Sequence, residues 1–264
     1  MSVADPPPYT TQLQAGLGLI PETRTLLELW SPGMTAPQLH QVALASGLFP
    51  TLTARRLLNL VVEGFAPRYL VPEGPPAAYL KHLSPRLTTA DLSQLLFLYT
   101  CRAHPILGDF VRQIYWPRYA AGYTQLTNAE ARAFVQRGID DGRTRQRWSP
   151  DMIQRVAASL TGCCADFGLL EPGPRTSRRL LPFRFSPIAA AYLAHELHFA
   201  GWGDNALLAH DDWHWFGLAR EEVLDEIKRL SRHGWFIVQA AGEVVRISWH
   251  QPTMEDFCHV LAQG

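Results

Sequence analysis

The stretch AREEVLDEIKRLSRHGWFIVQAAGEVVRISW at residues 219–249 places a helical pattern directly before two strand patterns. Its first part repeats apolar residues at the spacing of one buried helix face, and Gly234 ends that pattern. Residues 235–239 and 243–249 are rich in β-branched and aromatic residues, and the turn AAG at 240–242 separates them. A helix followed at once by a β-hairpin is the ending of a winged-helix unit.

The same order of patterns occurs once earlier in the chain. Ser149 and Pro150 begin a helical pattern that Gly168 ends. The segment LLEPGPRTSRRLLPFRF at 169–185 follows, with two short apolar runs around a loop of proline, glycine and arginine. These runs predict a second β-hairpin. We therefore expect two winged-helix-like units with small β-hairpin wings within residues 149–264.

The N-terminal part carries a third helical pairing. Thr35 caps one helical pattern, which Gly47 ends, and TARRLLNLVVEGF at 53–65 forms the next. Two helices joined by a tight turn predict a helix-turn-helix, whose second helix enters the major groove by its N-terminal end.

Three polar residues lie off the apolar stripe of that second helix. Arg55, Arg56 and Asn59 are of the types that contact phosphates, guanine and adenine, and they occupy the first two turns. They are candidate DNA-binding residues. The alternative is that they only solvate the outer face of a core helix.

Further arginines cluster in the second half of the chain. Residues 137–184 hold nine arginines against five acidic residues, a net charge of +4 on a chain whose formal charge is zero. Concentrated arginine favours contact with nucleic-acid phosphates, and the alternative is a solvated loop whose arginines pair with nearby acids. The candidate residues are Arg143, Arg145 and Arg147 in a polar linker, Arg175, Arg178 and Arg179 in the predicted wing, and Arg184 on its return strand.

Composition limits the class of protein. The chain has 264 residues, of which 47% are hydrophobic, and this is enough for a folded core. Its four cysteines form no CxxC pair, so we expect buried thiols in a reducing compartment. The N-terminus lacks the pattern of a signal peptide, and no apolar run is long enough for a membrane span. These features predict a soluble, cytoplasmic protein.

Motifs for catalysis are missing from the sequence. It contains no nucleophile elbow, phosphate loop or dinucleotide-binding glycine pattern. His195 and His198 are three residues apart, whereas the helical zinc-protease motif needs a spacing of four. We expect no enzyme activity, no metal and no cofactor.

Helical patterns also fill the middle of the chain. Thr127 and Glu130 have the spacing of a capping box at the start of one of them. We therefore expect a mainly α-helical chain in three parts: a helix-turn-helix unit at 1–85 after a loose proline-rich tail, a helical segment with a basic linker at 86–148, and the winged-helix-like units at 149–264.

The order of four segments resembles the BrxA family of bacterial BREX anti-phage systems. The segments are YTTQLQAGLGLIPETRTLLELWSPGMT at 9–35, TARRLLNLVVEGF at 53–65, WSPDMIQRVAASLTGCCADFGLLEPG at 148–173, and the stretch from FSPIAAAYLAHELHF to SRHGW at 185–235. The resemblance extends from about residue 9 to 250 and includes no catalytic signature.

The resemblance implies a small accessory protein that works beside a methyltransferase, a large ATPase and other BREX proteins. The family is similar to helix-turn-helix proteins that bind double-stranded DNA, and it has also been likened to the RNA-binding NusB fold. An older description of the family as inner-membrane proteins disagrees with this sequence. The predicted function is non-enzymatic binding of double-stranded DNA, mainly through its backbone. The alternatives are an RNA-binding NusB-like protein, an adaptor that docks other BREX subunits, and an unrecognised metal hydrolase.

Overall fold

The structure is a computed structural model that describes residues 7–71, 76–173, 176–242 and 244–263. Its chain divides into two compact units. The first unit is drawn from residues 1–78 and 96–183, and the second from 79–95 and 184–264. These two units are defined by how compactly the chain packs, not by sequence motifs. The division into three parts at 1–85, 86–148 and 149–264 therefore stays a prediction. None of the described helices is both long and apolar enough to cross a membrane.

The prediction of a mainly helical chain is confirmed, and the described strands form two small antiparallel sheets. The helices are α1 (Ile20–Leu29), α2 (Ala36–Ser46), α3 (Ala54–Asn59), α4 (Ala66–Tyr69), α5 (Pro76–Leu83), α6 (Thr89–Ala103), α7 (Pro105–Phe110), α8 (Trp116–Ala120), α9 (Asn128–Asp140), α10 (Pro150–Asp166), α11 (Pro187–Phe199), α12 (Asp204–Leu208), α13 (Arg220–Leu230) and α14 (Met254–Gln263). The strands are β1 (Gln125–Thr127), β2 (Ser177–Arg179), β3 (Phe236–Ala241) and β4 (Val244–Trp249).

The N-terminal helices of the first unit depart from a compact helix-turn-helix. The turn between α2 and α3 runs from Gly47 to Thr53, whereas the turn of that motif has about three to four residues. A π-helical turn, Leu60–Phe65, joins α3 to α4. A π turn departs from the spacing of a regular α-helix, and Val62 within it is 40% exposed although a regular helix would place it on the apolar stripe.

A buried arginine ties this region to the rest of the first unit. The guanidinium of Arg68 donates to the backbone carbonyls of Gly16 and Leu17, and its Nε donates to Nε2 of His104 at 3.3 Å. Arg68 and His104 are only 2% and 1% exposed. Burial, followed by the charge of Arg68, lowers the pKa of His104 to about 3, so this imidazole is neutral and accepts the hydrogen bond.

The second half of the first unit places two helices between two paired strands. Strand β1 leads directly into α9 through the predicted capping box, in which Glu130 Oε2 accepts from the backbone N–H of Thr127 at 2.8 Å. Strand β2 follows α10 and pairs antiparallel with β1, with Leu126 opposite Arg178. The sequence predicts that the two runs within 169–185 pair with each other, whereas β2 pairs mainly with β1. That prediction is therefore wrong. A single bridge, Leu170 to Leu180, joins the two runs.

The second unit contains the hairpin that the sequence predicts between α13 and α14, although β3 extends to Ala241 into the segment predicted as the turn. Strands β3 and β4 pair antiparallel from Phe236 opposite Trp249 to Ala241 opposite Val244. Helix α13 precedes them, and Val223, Ile227 and Leu230 on its inner face are buried. Asp204 accepts a hydrogen bond from the backbone N–H of Ile247 at 2.9 Å and so fixes the hairpin to the start of α12.

Candidate nucleic-acid interface

The predicted residues of helix α3 are accessible. Arg55 and Arg56 are exposed, and neither guanidinium has a hydrogen bond or ion pair with another described residue. Asn59, one turn later, is half-buried. Both apolar and acidic residues lie near these arginines. Leu48 and Val62 are 54% and 40% exposed close to these arginines in sequence, and Arg56 lines a cavity of about 430 Å³ together with the carboxylates of Glu22 and Asp166.

Arg143 has a structural role inside the first unit. Its Nη1 lies 3.1 Å from Oδ2 of Asp109, and its guanidinium stacks 4.4 Å from the centre of the Tyr9 ring. The Tyr9 hydroxyl donates to the same carboxylate oxygen at 2.8 Å, and the backbone N–H of Tyr9 donates to the carbonyl of Arg143 at 2.6 Å. Burial raises the pKa of Tyr9 well above its usual value. The start of the basic linker is thereby fixed in place.

The other two linker arginines face solvent. Arg145 is exposed, and its guanidinium makes no hydrogen bond or ion pair within the described residues. Arg147 is 85% exposed and lies 3.6 Å from Oδ1 of Asp140, a distance at which an exposed pair is weakly held. Both residues lie a few positions before Ser149, whose Oγ accepts from the backbone N–H of Met152 and caps α10. They are therefore available to an anion near the start of that helix.

Strand β2 carries two of the predicted wing arginines. Arg179 is exposed and makes a bidentate ion pair with Glu171, with both N–O distances 3.1 Å. That hydrogen-bonded pair lowers the pKa of Glu171. Arg178 is half-buried, and its Nη1 donates to the carbonyl of Glu171 at 3.3 Å. The third wing arginine, Arg175, lies outside the described residues.

Arg184 belongs to the second unit. It is exposed, and its carbonyl accepts a hydrogen bond from Nε2 of Gln94 at 2.9 Å. Sequence analysis assigns it to the return strand of the wing, whereas the residue lies in the extended segment that leads to α11. Its contact with DNA stays a prediction.

The structure also shows a polar groove that sequence analysis missed. It has a volume of about 380 Å³, and its lining consists of Asn128 at the start of α9 and of Asp151, Gln154, Arg155 and Ala158 on α10. The four α10 positions follow the i, i+3, i+4, i+7 spacing of one helix face. Oδ1 of Asn128 is buried without a hydrogen-bond partner. The signal was present in the sequence, because this face is the complement of the apolar face that identifies the helix.

The corresponding helix of the second unit presents different chemistry. The first part of α13, from Arg220 to Glu226, carries four acidic residues against one arginine. Arg246 is the basic residue of the β3–β4 hairpin, opposite Gln239. Ile237 and Val244 on the same strands are 53% and 67% exposed. This region is acidic along its helix and apolar along its hairpin.

The histidines of the second unit serve packing and capping. His195 is fully buried and stacks on Phe257 with ring centres 3.3 Å apart, and burial lowers its pKa to about 3. Nδ1 of His210 accepts from the backbone N–H of Asp212 at 3.2 Å and caps a short 3-10 helix. Within the described parts of the chain, no group of three or more histidine, cysteine, aspartate or glutamate side chains could hold a metal ion.

The chain can be compared with protein families, with solved structures and with curated proteins. A family model described as BrxA matches residues 7–196. Among solved structures, the chain is similar to the crystal structure of an uncharacterized protein from Magnetospirillum magneticum. The two chains are 16% identical with a TM-score of 0.58, and the similarity covers 73% of this chain and 95% of the other, so it shows a shared fold. A comparison with curated proteins finds no match.

Proposed function

The chain belongs to the BrxA family, which indicates a component associated with BREX defence, and on that premise we propose that it binds double-stranded DNA without catalysing a reaction. The binding is directed mainly at the phosphate backbone. The surface involved is the region β1–α9–α10–β2, including the basic linker between α9 and α10. We call this region, residues 125–181, the basic face.

The arrangement of the basic face carries the proposal. Helices α9 and α10 lie in sequence between two strands that pair with each other, as in a winged-helix unit. The linker arginines precede α10, and Arg178 and Arg179 lie on β2. The start of α9 adjoins β2 as well, since the backbone N–H of Asn128 donates to the carbonyl of Thr176 at 2.9 Å. We therefore expect helix, strand and linker to direct guanidinium groups toward one ligand.

The charges of the basic face suit phosphate. Arg145 has no partner among the described side chains, and the pairs of Arg147 and Arg179 are exposed to solvent. Exposed ion pairs are weak, so a phosphate oxygen can replace a carboxylate with little loss. Because each neutralised phosphate releases counterions, binding should weaken steeply as salt increases. The zero net charge of the chain does not oppose this, since the attraction is local.

The test is fluorescence anisotropy with labelled double-stranded DNA, single-stranded DNA and an RNA hairpin over a salt series. The proposal predicts salt-sensitive binding that is tightest for the duplex. Tighter binding of the RNA hairpin would instead support an RNA-binding protein. No binding to any of the three ligands at low salt would contradict nucleic-acid binding altogether. Incubation of the duplex with protein and Mg²⁺, Mn²⁺ or Zn²⁺ should leave the duplex uncut.

A second candidate function is docking of other BREX proteins, and the exposed Ile237 and Val244 favour it. Apolar side chains on a hairpin are suited to burial against a protein, whereas the acidic part of α13 would repel DNA. Purified BREX partners should then bind the protein, and Ile237→Asp with Val244→Asp should abolish that binding. The two functions are compatible, since they use different units of the chain.

A further inference from the structure

We propose that the polar groove of the basic face reads base edges in the major groove, so that α10 gives the protein a preference for particular DNA sequences. This inference rests on the proposed function and goes beyond it, because backbone contacts alone carry no sequence information. It also moves the base-reading helix from α3 to α10. The residues concerned are Asn128, Asp151, Gln154, Arg155 and Ala158.

The side chains of the groove match the chemistry of base edges. Arginine pairs in a bidentate manner with guanine, asparagine and glutamine pair with adenine, aspartate accepts from the amino group of cytosine, and an alanine methyl contacts the thymine methyl. All five lining residues are of these types. Such a mixture of donors and acceptors suits a base edge better than it suits a phosphate, for which Asp151 would be unfavourable.

These side chains are not engaged elsewhere in the molecule. Asp151, Gln154 and Arg155 are exposed, and none of their side chains has a hydrogen bond or ion pair with a described residue. Oδ1 of Asn128 is buried and unpartnered, although buried polar atoms are nearly always hydrogen-bonded. If the amide of Asn128 turns into the groove when DNA binds, the amino group of adenine would satisfy this oxygen.

The geometry of α10 fits major-groove entry. In a helix-turn-helix the second helix contacts bases with its N-terminal residues. The four groove residues of α10 lie between Asp151 and Ala158, in the first half of the helix from Pro150 to Asp166. A helix with side chains is about 10–12 Å wide, which matches a major groove about 12 Å wide. The linker arginines before the helix and the wing arginines after it would then lie on flanking phosphates.

The other two candidate helices are less suitable. The first part of α13 would bring the exposed carboxylates of Glu221, Glu222 and Asp225 toward the duplex. Helix α3 has only six residues before the π turn, and apolar Val62 is exposed on the segment that continues it. Of the three, α10 alone combines an exposed polar face, an unpartnered buried acceptor beside it and flanking arginines.

The experiment is selection of bound sequences from a random duplex pool, followed by anisotropy with the enriched duplex and a scrambled duplex. The full chain should enrich a motif and prefer it over the scrambled duplex by tenfold or more. Gln154→Ala with Arg155→Ala should lower that preference by about 10–100-fold or to none, because one bidentate pair discriminates by about that factor. Affinity for the scrambled duplex should change by less than about fivefold, since at most one phosphate-binding charge is lost.

Two controls separate recognition from folding and from charge. Gln239→Ala with Arg246→Ala removes the same residue types from exposed positions of the second unit and should leave the preference unchanged. Arg155→Lys keeps the charge but lacks the planar fork of the guanidinium, so it should retain scrambled-duplex affinity and weaken the preference for guanine. Circular dichroism should show the same helix content in all variants.

Each other outcome is informative. If the full chain binds DNA without enriching a motif, or if the groove variants enrich the same motif, the groove does not read bases and backbone binding stands alone. If the full chain binds no DNA, this inference and the proposed function both fail. Recognition by α3 would appear as loss of the motif in Arg55→Ala with Arg56→Ala and its retention in the groove variants.

Discussion

The basic face and the region from α12 to β4 each contain two helices and one antiparallel strand pair, but they differ in strand pairing and in the surface that they expose. In the first, β2 pairs with a strand that precedes both helices, and the helix before β2 exposes a polar groove. In the second, two six-residue strands form a local hairpin, and the helix before it exposes acidic residues. We expect the exposed side chains of one helix and one wing to decide which ligand each region binds.

We expect the largest effect on duplex affinity from charge reversal in the basic face. Arg145→Glu with Arg147→Glu should weaken duplex binding on the order of 100-fold near 0.1 M salt, because two phosphate contacts become repulsive. Fluorescence anisotropy measures this loss of duplex affinity. Arg232→Glu with Arg246→Glu makes the same change in net charge at exposed positions of the second unit. An equal loss in that control would mean that only net charge matters.

The second prediction compares the buried histidines of the two units. The folded pKa values of His104 and His195 are about 3, below the unfolded value of about 6.5, and burial is the main cause for both. Below pH 6.5 the unfolded chain takes up protons that the folded chain does not, so stability falls with pH until about pH 3. Each histidine should lower the free energy of unfolding by about 2 kcal/mol between pH 7 and pH 5.

Urea unfolding at both pH values tests this prediction. His104→Gln should reduce the acid sensitivity of the first unit, and His195→Gln that of the second. A loss of stability that stays the same in both variants would assign the acid sensitivity to other groups.

A smaller effect is expected from the wing. Arg178→Ala with Arg179→Ala should weaken binding about tenfold for all duplex sequences alike and reduce the magnitude of the salt slope by about 1–2. Anisotropy over a salt series measures both quantities. Because Arg178 also bonds to the carbonyl of Glu171, thermal unfolding should accompany the assay. A folded variant with unchanged affinity and slope would remove the wing from the interface.

The smallest effect should follow substitution of the apolar hairpin. Ile237→Asp and Val244→Asp lie at exposed positions, so each should change the free energy of unfolding by about 0.5 kcal/mol or less. Duplex affinity should stay within about twofold. If either variant weakens DNA binding tenfold while remaining folded, the hairpin is part of the DNA surface and the contrast between the two regions is lost.

Local patterns predicted much of this fold. The capping box at Thr127 and Glu130 and the hairpin of residues 236–249 depend on residues close in sequence, and both are confirmed. The pairing of β1 with β2 joins segments about 50 residues apart, and short strands carry too little pattern to indicate such a partner. The π turn at Leu60–Phe65 was missed because apolar spacing assumes a regular helix.

The candidate site was harder to predict than the fold. An arginine that ties elements together has the same sequence signature as one that binds phosphate, so composition could not distinguish Arg143, stacked on Tyr9, from the unpaired Arg145. The groove was missed for a different reason. Its residues, Asn128 and four positions of α10, come from two elements whose packing the sequence pattern does not show.

The most direct test of the central claim is hydrogen–deuterium exchange of the full chain with and without duplex DNA, read by mass spectrometry. DNA binding by the basic face should slow exchange in peptides from residues 143–158 and 176–181. Exchange in 220–249 should not change. Protection confined to 54–65 or to 220–249, with residues 143–158 unaffected, would contradict the basic face as the DNA-binding surface.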